Sequence, residues 1–252
     1  MADLREVVEF LDAYLNIDDV PDYPGALNGL QVSNRSPVER ISAATDACQV
    51  TIEMATEAGS QLLLVHHGLF WHNAAPLTGR TYRRVRALFD ADLALYSAHL
   101  PLDLHAEVGN NVLLADALGL QIEGRFGSHM GIEGLGVWAA ADLPLAELSD
   151  RIRGACGGEP LVIAGGPAHV RRIGIVTGGA GDMVGQAAAD GLDTLITGEG
   201  SHHTFHEATE LGVNLIYAGH YATETFGVRS LAERTAAEFD LEWGFLDHPT
   251  GL

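Results

Sequence analysis

The sequence predicts an α/β protein, with two α/β domains whose mostly parallel sheets are covered by helices. Three observations carry this. Short apolar runs of strand length alternate with amphipathic stretches of helical period, the runs end on Gly, His or Asp, and histidines gather just past those ends. In chain order, apolar residues recur at helical spacing over residues 3–15 and 48–58, then 80–90 and 109–118. The same period returns over 144–154, 182–190, 202–211 and 222–239. Between them lie runs too short for helices: Leu62–Val65, Leu93–Tyr96, Ile173–Val176, Thr194–Thr197 and Asn214–Ala218. Strands separated by helices need crossover connections, which favour parallel pairing. In such sheets ligands bind beyond the carboxyl ends of the strands, so the residues after each run are where function is sought.

The periodicity lapses over 121–136, QIEGRFGSHMGIEGLG, which is rich in glycine. A domain crossing is expected there, giving a first domain of 1–124 and a second of 125–252. The segment from about 219 is left free to pack back onto the first. A second glycine cluster, Gly165 and Gly166, precedes the strand RRIGIVTGG.

Composition narrows the chemistry. The 252 residues carry 34 acidic and 14 basic side chains, a formal charge of −20, and every basic one is arginine. Without lysine there is no Schiff base, no lysine general base and no phosphate-loop lysine. The acidic field and the lack of a basic stripe argue against nucleic acid as a partner. No apolar run is long enough for a transmembrane helix, so no membrane partner is expected. Cys48 and Cys156 stand in no paired motif and read as small buried hydrophobes in a reducing compartment. The N-terminus lacks a signal-peptide pattern, and the chain reads as cytoplasmic.

Twelve histidines are the strongest signal. His66 and His67 follow LLLV directly, and His99 follows ALYSA with Asp103 four residues on. His202, His203 and His206 follow LITGEGS, and His220 follows NLIYAG with Glu224 four residues on. Along an extended strand His66 and His67 would point to opposite sides, and a turn at Gly68 would let them converge. His220 and Glu224 share a face if a helix begins at His220. Pro101 disfavours regular helix from His99 to Asp103 and suggests a bent loop. Imidazoles plus carboxylates without thiolate suit divalent Zn, Fe, Mn, Co or Ni. Five or six such ligands exceed what one open catalytic ion needs, which favours two.

Other histidines have plainer readings: His129, His169 and His248 as hydrogen-bonded or capping residues, His72 and His105 as surface residues or supports of the site. TGGAGD at 177–182 lacks both dinucleotide spacing and a phosphate-loop lysine, so a tight strand–helix turn explains it better. Ser201 has no nucleophile-elbow glycines. Arg80, Arg83, Arg84 and Arg86 form the one basic cluster and read first as a solvated helix face, second as a phosphate contact.

Four motifs in order, VHHGLFW at 65–71, AHLPLDLH at 98–105, TGEGSHH at 197–203 and GHYATE at 219–224, resemble the NIF-three-like dinuclear-metal proteins. The bacterial YbgI-type members of that family are labelled GTP cyclohydrolase I type 2 homologues. The resemblance runs from ALNGLQV near the start to the DHPTGL ending. It implies two metal ions in a cleft between the α/β domains, with His66, His67, Asp103, His220 and Glu224 as ligands and His99 beside them. It also implies that Glu199, His202 and His203 line the same cavity, facing substrate or supporting the ligands. A toroidal homohexamer, a trimer of dimers, is the implied assembly. His72 stands where bacterial relatives often carry a lysine, so no substrate role is inherited there.

The resemblance implies GTP ring opening; the residues themselves reach only water activated by metal and acting on a small molecule, with a nucleotide among the candidates. His202, His203 and His99 are the candidate catalytic histidines, and Glu199 and His99 the candidates for substrate or supporting contacts. Two rival readings are a non-catalytic metal-binding or regulatory hexamer, and a metal-dependent phosphoesterase or amidohydrolase.

Overall fold

The computed structural model describes residues 1–71 and 75–252; His72 lies outside the described residues. The chain divides into two compact units, residues 1–102 with 227–248, and residues 103–226 with 249–252.

The first unit opens with α1 (Leu4–Leu15), whose Asp3 side chain accepts from the Arg5 N–H and caps the helix. Its buried stripe is Val7, Leu11 and Leu15, the expected one-sided helical spacing. Next come β1 (Gly29–Val32), β2 (Arg40–Asp46), α2 (Gln49–Glu57), β3 (Leu62–His67), α3 (Gly79–Asp90), β4 (Ala94–Ser97) and the short turn α4 (Leu100–Asp103). The second unit continues with α5 (Asn110–Ala117), β5 (Ile122–His129), β6 (Ile132–Pro144), α6 (Leu145–Cys156), β7 (Leu161–Ala164) and β8 (His169–Ile175). A single 3-10 turn at Gly181–Met183 leads into α7 (Val184–Ala189), then β9 (Thr194–Thr197), α8 (Thr204–Leu211), β10 (Asn214–Tyr217) and α9 (His220–Thr223). Finally α10 (Thr225–Phe239) carries the chain back to the first unit, which ends with β11 (Glu242–Phe245).

The first sheet has the order β1-β4-β3-β2-β11. Its pairings are parallel except at one edge, where β1 runs antiparallel to β4. Ile52, Leu63, Val65, Leu88 and Leu95 bury the helix side of this sheet. The second sheet has the order β5-β6-β8-β9-β10-β7. Only β8, β9 and β10 pair in parallel; β5, β6 and β7 add antiparallel pairings on both flanks. Its core includes Leu114, Val137, Leu148, Ile173, Ile196 and Ile216.

Two expectations need correction. The glycine-rich stretch 121–136 is the β5–β6 hairpin, turned at Met130 and Gly131 with φ of 53° and 82°. Positive φ at both central residues matches the twist of the flanking strands. Glycine is required along these strands: a Cβ on Gly136 would meet the Phe126 ring at 2.4 Å. The two compact units themselves divide first between Leu102 and Asp103. The bent loop expected after His99 is instead the helical turn α4. Pro101 sits in its first turn, where a missing N–H leaves no bond unmade.

Candidate metal centre

Each unit presents side chains of metal-capable types at the carboxyl ends of adjacent parallel strands. In the first unit Asp46, the His66–His67 pair and His99 end or follow β2, β3 and β4. Asp46 and His67 are direct partners in the parallel register. The two histidines stay within β3, yet their ring centroids are 4.7 Å apart, and His99 lies 4.9 Å from His66 and 5.6 Å from His67. One ring nitrogen from each of the three lies within 4.8 Å of the others. Trp71 packs edge-on against His99 at 4.8 Å, and its indole N–H donates to the Gly68 carbonyl at 2.8 Å.

The oxygen partners fix the tautomers. His66 Nδ1 lies 2.9 Å from the Ala98 carbonyl, which can only accept, so Nδ1 carries the hydrogen and Nε2 the lone pair. His67 Nδ1 meets Asp46 Oδ1 at 2.9 Å, and His99 Nδ1 meets Asp22 Oδ1 at 2.8 Å. Asp22 also accepts from the Tyr23 N–H, the Leu100 N–H and Asn28 Nδ2. Burial pushes its pKa up, but the His99 bond and charge and the Asn28 and Tyr23 donors outweigh that and hold it below the usual carboxylate value.

In the second unit Thr177 and Gly178, Glu199, and His220 follow β8, β9 and β10. His220 Nδ1 meets Glu199 Oε1 at 2.8 Å, and its Nε2 lies 3.2 Å from Glu224 Oε2. Burial lowers the His220 pKa, but the bonds and charges of Glu224 and then Glu199 outweigh it and lift the value to about 9. The two carboxylates thus favour positive charge at this imidazole, the electrostatic setting that also suits a bound cation. Asp103 is buried, and its Oδ1 accepts from Asn110 Nδ2 at 2.8 Å. The TGGAGD segment supports this group: Gly178 has φ +70°, and a Cβ there would lie 2.2 Å from Glu224 Oε1. Its N–H donates to Thr223 Oγ1 and its carbonyl accepts from the Gly198 and Glu199 N–H groups.

This donor chemistry fits transition-metal ions. Metal-ligating histidines characteristically give their second ring N–H to a carboxylate or backbone carbonyl, which orients the ring and raises its basicity. His66, His67, His99 and His220 all have Nδ1 on such an oxygen.

The family described as Duf34/NIF3 (NGG1p interacting factor 3) matches residues 2–250. The chain belongs to the Duf34/NIF3 family. Among relatives, a Deinococcus radiodurans protein named GTP cyclohydrolase 1 type 2 homolog is 46% identical over 248 residues, covering 98% of this chain and 94% of its own. A Halobacterium salinarum protein of the same name is 44% identical over 257 residues, covering 99% of this chain and 100% of its own. Among solved structures, protein ybgI, described as of unknown function, has a TM-score of 0.92 at 36% identity with both chains fully covered. A Thermus thermophilus protein has a TM-score of 0.89 at 44% identity, covering 99% of this chain and 100% of its own.

Membership in Duf34/NIF3 agrees with the resemblance read from the motifs. Two residues of the centre escaped the sequence. Asp46 ends a strand, RISAATD, whose small and polar residues hide it among loops. Asp22 lies 77 positions from His99 and carries no local signal. His202 and His203 are exposed just before α8 and are members of neither metal-capable group among the described residues. His203 pairs with Asp182 at 3.2 Å and His202 packs edge-on to His206. His169 pairs with Asp142, as a plain surface histidine would. The arginines of α3 are a solvated face, with Arg86 bonded to Asp90 and Tyr82. Both cysteines are free thiols, and no helix among the described residues is long and apolar enough to cross a membrane.

Proposed function

We propose that the chain is a metal-dependent hydrolase in which His66, His67, Asp103, His220 and Glu224 hold two divalent ions drawn from Zn, Fe, Mn, Co and Ni. The observation that carries this reading is the repeated pairing of a histidine Nδ1 with an oxygen acceptor, three times a carboxylate. When bound, such a pair of ions supplies a water of lowered pKa and an electrophile for a substrate oxygen. The chain's own residues do the rest. Asp46 and Glu199 orient His67 and His220, Asn110 holds the Asp103 carboxylate, and His202 and His203 offer exposed imidazoles for moving protons.

The substrate is a small molecule, and GTP is the first to test because the curated relatives are named GTP cyclohydrolase 1 type 2 homolog. The homohexamer and a cytoplasmic location belong to the same reading, the first supported by the family resemblance and the second by free cysteines. The test is a screen of the metal-reconstituted protein against GTP, other nucleotides, model phosphodiesters and amides. Turnover that a chelator abolishes and metal restores is the expected result, with His203→Ala lowering kcat while keeping its metal. No turnover with Zn, Fe, Mn or Co would transfer the assignment to a metal-binding scaffold.

A further inference from the structure

We propose that the cleft between the first turns of α1 and the segment 33–37 after β1 is a binding site for a small organic anion, an apolar body carrying one carboxylate or phosphate group. The cleft has a volume of about 410 Å³, within the range of roughly 300–1,000 Å³ usual for small-molecule pockets. It lies at the opposite end of the first sheet from the candidate metal centre. β1 runs antiparallel to β4, with Gly29 beside Ser97 and Val32 beside Leu95. The chain therefore leaves β1 at the end where β3 and β4 begin, whereas His66, His67 and His99 stand where those strands finish.

Hydrogen bonds hold both walls of the cleft in place. The N–H groups of Ala2 and Val38 each donate to the other residue's carbonyl at 2.8 Å, which ties the start of α1 to the end of the segment. Asp92 clasps the segment itself. It accepts from the Arg35 N–H at 3.0 Å, the Ser36 N–H at 3.1 Å and the Ser36 hydroxyl at 2.6 Å. Asn34 Nδ2 donates to the Gln61 carbonyl at 3.2 Å, anchoring the same wall to the turn before β3. A cleft with walls fixed in this way is largely formed before any ligand arrives, which lowers the cost of binding.

The lining matches an amphipathic anion. Leu4, Val8 and Leu30 line the cleft half-buried and offer apolar surface to a ligand. The core stripe of α1 is Val7, Leu11 and Leu15, so Leu4 and Val8 are left to this second face. Arg5 from α1 and Arg35 from the segment bring a guanidinium group to each wall. Their ion pairs are long: Arg5 meets Glu9 at 3.7 Å and Arg35 meets Asp92 at 3.4 Å, with the arginine side chains 81% and 89% exposed. Exposed pairs of this kind contribute little, and each guanidinium has five N–H donors to give. The acidic neighbours are already engaged, Asp3 with the Arg5 N–H and Asp92 with the Arg35 and Ser36 donors. The partial positive charge at the N-terminal end of α1 adds to the two arginines. In a chain of charge −20, an anion is held only where such local positive charge is concentrated.

The test is photolabelling of the metal-loaded protein with benzoylbenzoate, an apolar carboxylate, followed by peptide mapping, beside calorimetric titration with benzoate and with phenyl phosphate. Saturable labelling at residues 3–8 or 30–37, competed by benzoate or phenyl phosphate, is the expected result. The tighter of the two competitors identifies the anionic group the cleft takes. Neutral benzophenone, which lacks the charge, and inorganic phosphate, which lacks the apolar body, compete poorly. Arg5→Gln and Arg35→Gln each weaken binding of the tighter anion about tenfold, the usual cost of losing a charged hydrogen-bond partner, and both keep the wild-type metal content. Labelling confined to other segments, or wild-type anion affinity in both arginine variants, would overturn the proposal. So would binding that a chelator abolishes, because the anion would then sit on the metal ions.

Discussion

Asp46 offers the sharpest test of how the centre is built. Its Oδ1 accepts from His67 Nδ1 at 2.9 Å, across the register pair that joins the ends of β2 and β3. Asp46→Ala removes that acceptor while leaving the strand pairing, which uses only backbone. His67 then loses both its orientation and the carboxylate that makes Nε2 more basic. Losses of this kind typically cost 10–100-fold in metal affinity, or about 1.4–2.7 kcal/mol. Asp46→Asn keeps an acceptor oxygen but not the charge, so it should fall between wild type and Asp46→Ala. The assay is competition for Zn2+ against a chromophoric chelator at fixed pH, with circular dichroism to establish that each variant is folded. Wild-type affinity in a folded Asp46→Ala would refute the idea that these carboxylates tune the metal ligands.

Three further outcomes follow from the same structure. Gly178→Ala adds a Cβ 2.2 Å from Glu224 Oε1 and forces a side chain into a left-handed backbone, so metal content should fall. The backbone cost alone is about 1–2 kcal/mol, read by chemical denaturation beside metal analysis; full metal retention would show that Glu224 is not held as described. Leu63→Ala, in the core beneath the first sheet, should cost about 2–5 kcal/mol of stability while leaving the metal-to-protein ratio of the folded fraction unchanged. For Cys156, burial disfavours the thiolate and pushes its pKa from 9.0 to about 11. Its thiolate population at pH 8 is then roughly 100-fold lower than that of an unperturbed thiol. Alkylation of Cys156 in a Cys48→Ala background should rise with pH up to about 11, and a plateau near pH 9 would contradict the burial.

Much of this was legible in the sequence because the relevant signals are local. Helices announce themselves by a one-sided apolar period, and α1, α3 and α8 lie within a residue or two of the predicted spans. Buried parallel strands read as short apolar runs, as β3, β9 and β10 do. The imidazoles and carboxylates past those runs stood out because few other roles gather such residues at the carboxyl ends of successive strands, here in two separate sheets. What stayed hidden depends on pairing across the chain. The hairpin β5–β6 has its alternation interrupted by glycines that make room for Trp138, Phe126 and Met183. In β2, alanine, serine and threonine pack against the neighbouring strands without an apolar signature. Asp22 reaches His99 only once the loop after α1 is folded, and no spacing rule links residues 77 positions apart.

The central claim is that His66, His67, Asp103, His220 and Glu224 together hold two ions. Metal analysis of the purified protein beside Asp103→Ala tests it directly. About two divalent ions per chain are expected in the wild type, and fewer in the variant, because Asp103 is a buried carboxylate already fixed by Asn110. Equal metal content in the two proteins, or none in either, would contradict the account.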